Sequence, residues 1–472
     1  MPAYDLLVLS DVHLGSDLVH HVRPGAPPRG EASARRDREL VALLAWYAER
    51  RQGGRPWRLV IAGDLIDFTG MSVPIVPSEV RTSPTEEERR HGLGSAVDHT
   101  LAKLRLVAAH HAEVFQALAR FCAAGNSLVV VRGNHDVDLH WEPVQQAFRD
   151  VLSSHEPGTG ERLEFAEWFY YEEGAVFVEH GHQYDAYCSH DHVLRPLSPS
   201  DPRRSYQSFS DVLVRYVVRP TQGMSEGGHD VASALDYLRF GLRLGVRGVF
   251  DLGRRFTLAV VALVALWREH AGAAAARLAA EHERAIARFA EARRLSPRAL
   301  RAFASLQHPP VARSLVHLLA GVMIDRVALV ALGLLAFAAA LVALRAPSVG
   351  VAALALLALL VPPAWLWRRA RGPIDASEAL RERGLRVGAI FPAAFVVMGH
   401  THLPEVRRSP SGAGTYVNLG AWADDEPAGD QAVSKQASRT HLVVRLGDGE
   451  PSAELLRWSS PEGPTSFGAP EA

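Results

Sequence analysis

The stretch DLLVLSDVHLG, residues 5–15, decides the fold, because an apolar run stops there abruptly at polar and ionisable side chains. Its first part, residues 5–10, has the length and composition of a short buried strand. The same pattern returns four times: RLVIA (58–62) before Gly63-Asp64, LVVVR (128–132) before Gly133-Asn134-His135-Asp136, AVFVE (175–179) before His180, and AFVVM (394–398) before Gly399-His400-Thr401-His402. Helical stretches such as 36–51 and 97–124 lie between the early strands. The sequence therefore predicts a layered α/β fold with a polar site along the edge where the strands end.

Length and composition narrow the class of protein. A chain of 472 residues predicts two structural units, or one domain with a large insertion. Charge is balanced, with 51 Lys and Arg against 52 Asp and Glu, so a generally basic surface for nucleic acid is not indicated. Two cysteines fit a reducing compartment, and the start lacks the pattern of a secretory signal. We expect the N-terminal part to stay in the cytoplasm.

The chain changes character after about residue 190. Residues 268–294 are rich in Ala, Arg and Glu and predict an exposed amphipathic helix. Two apolar runs, 327–344 and 349–367, are each about as long as a bilayer core requires, and arginines flank them. They predict a transmembrane hairpin with both ends in the cytoplasm; the alternative is a buried pair of soluble helices. A third run, 256–267, is too short to span and is expected at the membrane interface or packed inside the insertion.

Four segments follow from this organisation. Residues 1–190 are expected to form the first part of a catalytic core, and residues 386–450 its second part. Residues 191–385 are expected to form a helical, membrane-inserting insertion between them. The segment 451–472 is rich in Pro, Gly and Ser and predicts a flexible tail.

Seven strand-end residues offer oxygen or nitrogen ligands and no thiolate. Such a set suits Mn²⁺, Fe²⁺ or Zn²⁺, and it suffices for two ions if one carboxylate bridges them. In Asp11-Val12-His13 and in His400-Thr401-His402, alternate residues of an extended backbone would point the same way. The seven candidates are Asp11, His13, Asp64, Asn134, His180, His400 and His402.

The blocks SDVHLG, GDLID, RGNHD, EHGHQYD and GHTH, in this order, resemble the calcineurin-like metallophosphoesterases. The resemblance covers residues 5 to about 190 and 390 to about 425, and it implies a four-layer, metal-lined β-sandwich flanked by helices. It also implies that Asp64 bridges two divalent ions. His135 would contact the phosphate and help the leaving group, oriented by Asp136. The resemblance gives the first ion Asp11, His13 and His402, and the second ion Asn134, His180 and His400.

Other roles for these residues remain open. Asp64 alone could cap a helix, Asn134 alone is a common turn residue, and Asp67 could merely orient a neighbour. His182 is left over once the seven ligands are assigned, so we expect it near the substrate phosphate or behind the ligands. The run Cys188-Ser-His190-Asp-His192 is spaced too tightly for a regular zinc site.

The substrate is less well defined by the sequence. The block EHGHQYD resembles the bacterial branch near the UDP-2,3-diacylglucosamine pyrophosphohydrolases. With the predicted hairpin, it suggests a phosphoester or pyrophosphate bond of a lipid-linked substrate at the cytoplasmic membrane of a bacterium, in contact with membrane lipid. His135, however, stands where those enzymes usually have Arg, and the insertion is far longer. A cyclic-nucleotide or nucleic-acid phosphodiesterase is the alternative, and a membrane scaffold with a vestigial catalytic domain ranks lower. Nucleic acid is not the expected partner.

Overall fold

The structure is a computed structural model, and it describes residues 4–19, 30–221, 234–270, 272–322, 335–336, 338–342, 344–358, 376–409, 414–423, 438–447 and 449–467. All five strands that the sequence predicts are present, each within a residue or two of its expected bounds. The strands in chain order are β1 (Asp5–Leu9), β2 (Trp57–Ala62), β3 (Ser127–Val131), β4 (Leu163–Ala166), β5 (Tyr170–Glu172), β6 (Gly174–Val178), β7 (Ala393–Met398), β8 (Glu405–Arg408), β9 (Thr415–Asn418), β10 (Thr440–Arg445), β11 (Ser452–Ser459) and β12 (Gly463–Ser466).

Helices connect these strands and cover them. The stretch 97–124, expected as one helical region, is two helices that meet at His111. The helices are α1 (Glu31–Glu49), α2 (Glu86–His91), α3 (Val97–His110), α4 (Ala112–Ala123), α5 (Glu142–His155), α6 (Phe209–Leu213), α7 (Ala234–His270), α8 (Ala273–Arg293), α9 (Pro297–Ala304), α10 (Leu315–Gly321), α11 (Pro347–Ala358) and α12 (Ala376–Ile390).

The strands form two mixed sheets. The first has the order β12-β11-β10-β1-β2-β3-β4, and the second has the order β5-β6-β7-β9-β8. Neighbours from β1 to β4 are parallel, as are β6, β7 and β9. Parallel strands end at the same edge of a sheet, so the polar loops after β1, β2 and β3 lie together, as do those after β6 and β7.

Alternation along the strands creates four layers. Successive side chains point to opposite faces of a sheet, so Val8 and Val60 face inward and meet Val178 and Val397 of the second sheet. The opposite face of the first sheet packs against α1, α3, α4 and α5. The opposite face of the second sheet, around Phe177, packs against α8, α9 and α12. The architecture is therefore an α/β/β/α sandwich, as expected.

Helices of the predicted insertion complete this sandwich. We expected residues 268–294 to form an exposed helix, but α8 buries Ile286 and Phe289 against the second sheet, together with Phe303 of α9. The short apolar run 256–267 lies in α7, where Leu263 is fully buried in a smaller cluster beside α6. Part of the segment 191–385 is thus the fourth layer of the core rather than an appendage.

The prediction of a flexible tail from residue 451 is wrong for residues 452–466. β11 and β12 extend the first sheet beyond β10, and Leu455 and Trp458 bury their side chains there. The segment is rich in Pro, Gly and Ser, so its short alternation of apolar and polar residues was not recognised as a strand. Pairing with β10 stabilises this strand.

Most of the predicted transmembrane hairpin, 327–344 and 349–367, lies outside the described residues. Among the helices that the structure does describe, none combines the length and the apolar character needed to cross a bilayer.

Candidate metal centre

The loops at the ends of the strands have an unusual backbone. Five of the seven predicted ligands adopt left-handed φ angles, which cost a non-glycine residue about 1–3 kcal/mol each. The expectation of extended backbone in Asp11-Val12-His13 and His400-Thr401-His402 is therefore wrong. Such strain persists only where the surroundings hold it, and it concentrates at functional sites. The φ angles are 57° at Asp11, 50° at His13, 55° at Asp64, 71° at His400 and 59° at His402.

Hydrogen bonds between the loops maintain this conformation. The N–H groups of Val12 and His13 both donate to the carbonyl of Asp64, each at 2.9 Å. Arg36 of α1 donates from Nη1 to the carbonyl of His13 at 2.8 Å. Gly133 is needed for close approach, because a Cβ there would lie 2.0 Å from Asp64 Oδ1. Glycine before Asn134 therefore allows the loops after β2 and β3 to make contact.

The first group of candidate ligands is Asp11, His13 and His402. His402 Nε2 lies 3.1 Å from Asp11 Oδ1, and His13 Nε2 lies 3.8 Å from the same oxygen. Asp11 Oδ1 and His13 Nε2 are buried and have no hydrogen-bond partner among the described residues. Buried polar atoms are rarely left unpaired, so this pair fits a cation held between them.

The second group surrounds Asp64. His180 Nε2 lies 3.2 Å from Asp64 Oδ2 and 3.0 Å from Asn134 Oδ1. His180 Nδ1 donates to the carbonyl of Ala62 at 2.9 Å, which turns Nε2 toward Asp64 and Asn134. Asp64 Oδ2 is also 3.7 Å from His13 Nε2 of the first group. Asp64 thus stands between the two groups, where a bridging carboxylate would have to be.

His400 reaches this centre with the help of a residue that the sequence did not single out. Its Nε2 lies 3.1 Å from Asp185 Oδ2, so Nδ1 is the ring nitrogen left for a metal ion. The His400 ring is 5.3 Å from the ring of His180. Asp185 belongs to the stretch EHGHQYD, but nothing local shows that it faces a histidine on another strand.

The electrostatics of the centre favour cations. Burial alone would raise the pKa of Asp11, but His402 and His180 outweigh it and hold that pKa far below its usual range. Burial is likewise outweighed at Asp64, where His180 and His135 lower the pKa well below normal. Burial would lower the pKa of His180, but Asp64 and Asp11 raise it to about 9. The carboxylates are therefore charged at neutral pH, and His180 would exchange its proton for a cation.

His135 is oriented by Asp67, and its predicted orientation by Asp136 is wrong. His135 Nδ1 lies 2.7 Å from Asp67 Oδ1, and the two rings of His13 and His135 are 4.7 Å apart. Asp136 instead accepts the N–H groups of Gly133 at 2.6 Å and Leu65 at 2.8 Å, so it fixes the loops. Burial and the charge of Asp64 raise the pKa of Asp136 to about 7.

His182 lies behind the ligands. Its ring centroid is 5.4 Å from that of His180 and 6.5 Å from that of His400. Burial, with nearby histidines, lowers its pKa well below the usual value, and only 5% of the residue is exposed. Of the two places expected for His182, this position supports the one behind the ligands. His190 contacts His182 and Tyr206, so the run from Cys188 to His192 does not converge on one centre.

The site and the fold together define a class. Carboxylates, imidazoles and one amide from both sheets meet at one end of an α/β/β/α sandwich, as in a metal-dependent hydrolase. The family model of the calcineurin-like phosphoesterases matches residues 4–250, which is more than half of the chain, and the chain belongs to that family. Comparison with curated proteins finds no match. Family membership implies a metal-dependent phosphoester hydrolase, and such enzymes usually bind two divalent metals, which the clusters of His and Asp fit.

Proposed function

We propose that the protein hydrolyses a phosphoester or pyrophosphate bond of a lipid-linked substrate at the cytoplasmic face of a bacterial membrane, with two Mn²⁺ ions. The observation that supports hydrolase activity is the position of Asp64 between the two groups of candidate ligands, with His135 beside them. Fe²⁺ or Zn²⁺ would suit the same oxygen and nitrogen ligands, so the choice of Mn²⁺ is part of the proposal.

The chain's own residues have distinct roles in this proposal. Divalent ions at such a site activate water for attack on phosphorus and neutralise charge on the phosphoryl oxygens. Asp11, His13 and His402 would hold one ion, and Asn134, His180 and His400 the other, with Asp64 shared. The Asp67 carboxylate accepts from His135 Nδ1 and so favours a ring that is protonated on both nitrogens, whose Nε2 proton would pass to the leaving oxygen.

The membrane part of the proposal rests on the insertion. Val246 and Phe250 of α7 lie one turn apart and are each 76% exposed. Arg247 is exposed on the same stretch of helix, and Arg243 is exposed just before the break in helical geometry at Gly245. Large apolar side chains next to arginines suit the interface of an anionic bilayer. The apolar runs 327–344 and 349–367 belong to the same insertion and support insertion into the bilayer.

Hydrolysis of bis(p-nitrophenyl) phosphate by the Mn²⁺-loaded protein tests the hydrolase. Asp64→Asn should abolish hydrolysis and lower metal content, whereas Asp150→Asn, on the exposed side of α5, should change neither. Unchanged hydrolysis in Asp64→Asn would show that this centre is not the active site.

A substrate panel tests the lipid-linked bond. UDP-2,3-diacylglucosamine should be cleaved far faster than its deacylated nucleotide sugar, cyclic nucleotides or single-stranded DNA. A clear preference for a cyclic nucleotide or for DNA would instead indicate a cyclic-nucleotide or nucleic-acid phosphodiesterase.

Carbonate washing tests the membrane anchor: the intact chain should stay with the membranes, and its release would contradict insertion into the bilayer.

A further inference from the structure

A segment near the start of the insertion contacts the catalytic core beside the candidate metal centre. We call residues 208–221 the docking segment; it contains α6, a π-helical turn (Val214–Val218) and Arg219. π-helical turns are rare and often mark functional sites. The segment is anchored independently of Arg219, because Arg215 donates to Glu87 at 2.6 Å and to the carbonyls of Gly92 at 3.1 Å and Leu93 at 3.3 Å.

Arg219 joins the docking segment to the residue that orients His135. Its Nη2 donates to Asp67 Oδ2 at 2.6 Å, and its Nη1 donates to the carbonyl of Ser16 at 2.7 Å. The other oxygen of Asp67 contacts His135 Nδ1 at 2.7 Å and accepts the N–H of Gly70 at 2.7 Å. Both carboxylate oxygens of this fully buried side chain are therefore fixed, one by the catalytic core and one by the docking segment.

We propose that Arg219 is a positioning residue for catalysis, which acts on His135 through Asp67. This inference rests on the proposed function, in which His135 protonates the leaving oxygen. A charge-assisted bond from a planar guanidinium holds the plane of the Asp67 carboxylate, and that plane sets the direction of the His135 ring. Small misplacements of a catalytic group cost large factors in rate, so the insertion completes the active site through this contact.

Leaving groups of different basicity separate a positioning role from a structural one. A p-nitrophenolate departs with little help, whereas a phenolate needs a proton from His135. We expect Arg219→Ala to lower kcat about 10- to 100-fold for a phenyl diester and several-fold less for the p-nitrophenyl diester. KM and metal content should stay within about twofold, and Arg219→Lys should restore part of the loss. The matched control is Arg203→Ala, because the side chain of Arg203 is 65% exposed and its ion-pair partner is Asp201.

A double-mutant cycle with Asp67→Asn identifies the route of the effect. If Arg219 acts through Asp67, then Arg219→Ala should cause little further loss in the Asp67→Asn background. Losses that multiply would overturn the proposal, because Arg219 would then act elsewhere. Equal losses for both leaving groups, or a fall in metal content, would also overturn it in favour of a structural role.

An NMR measurement that needs no substrate turnover tests the role of Arg219 independently of the proposed hydrolysis. The imidazole ¹⁵N shifts of His135, assigned by their loss in His135→Gln, should report that Nδ1 stays protonated and bound to Asp67 in the parent protein. Arg219→Ala should average these shifts between tautomers, and unchanged shifts would contradict the proposal. A parent protein that hydrolyses no ester of the panel would instead defeat the proposed function.

Discussion

Replacing Asp185 by Asn tests how the proposed second metal ion is held. Asp185 Oδ2 lies 3.1 Å from His400 Nε2, and Asp185 Oδ1 accepts the N–H of Tyr187 at 2.9 Å. An Asn side chain can keep the bond to Tyr187 only with its oxygen, which turns its N–H₂ group toward His400 Nε2. To accept that bond, the ring must move its proton to Nδ1, the nitrogen that remains for the metal.

We expect Asp185→Asn to lower the affinity for only one of the two metal ions. Residues that orient a metal ligand change affinity by about 10- to 100-fold when mutated. At about 1.4 kcal/mol per tenfold change, Asp185→Asn should weaken the second Mn²⁺ by about 1.4–2.8 kcal/mol. The ion proposed for Asp11, His13 and His402 should be almost unaffected, because the carboxylate of Asp185 binds His400 and the N–H of Tyr187.

Calorimetric titration of the metal-stripped protein with Mn²⁺, together with elemental analysis, measures both sites. We expect one tight site of unchanged affinity and one weakened site in Asp185→Asn, and two unchanged sites in the control Asp150→Asn. The reasoning is refuted if Asp185→Asn binds two ions as tightly as the parent protein does. It is also refuted if both sites weaken equally, since the effect would then be general.

Three further predictions concern the loops, the fourth layer and the first sheet. Gly133→Ala should lower both metal content and activity at least about 100-fold, because its Cβ would lie 2.0 Å from Asp64 Oδ1; normal metal content would contradict this. Phe303→Ala should lower the free energy of unfolding by about 3–5 kcal/mol in urea, since Phe303 is fully buried beneath the second sheet. A loss below about 1 kcal/mol would mean that α9 is not part of the core. Burial lowers the pKa of His441 to about 3 from 6.5, so the folded protein keeps it neutral while the unfolded chain takes up a proton below pH 6.5. Its contribution to stability is thus complete above pH 6.5 and declines below it. The parent protein should therefore lose about 2 kcal/mol more than His441→Gln between pH 7 and pH 5 in urea unfolding, and equal losses would disprove the shift.

Much of the fold could be predicted because its signals are local. Each of the five strands β1, β2, β3, β6 and β7 is an apolar run that ends at a polar residue, and a buried strand needs nothing more to be recognised. β11 was missed because Pro, Gly and Ser around it resemble a disordered tail, and only pairing with β10 makes it a strand. The buried face of α8 was missed for a similar reason, since its partner sheet is formed by distant segments.

The convergence of the candidate ligands could also be predicted from the sequence. Asp11, Asp64 and His180 each follow a strand, and parallel strands bring their ends together whatever the loops do. The backbone of the loops could not be read, because left-handed φ angles at Asp and His arise from hydrogen bonds between loops that are far apart in sequence. This is why the expected extended conformation was wrong while the residues still converge.

The sequence by itself determined which candidate ligands lie at the strand ends, because ligand type and strand ends are properties of short segments. Only the tertiary structure decided which groups support them. Asp185 is 215 residues from His400, and Arg219 is 152 residues from Asp67. Contacts over such separations depend on how the insertion folds back onto the core, and an acidic or basic residue alone does not specify its partner. The neighbours of His135 and His182 were likewise decided at this level, because packing placed Asp67 beside one ring and His180 and His190 beside the other.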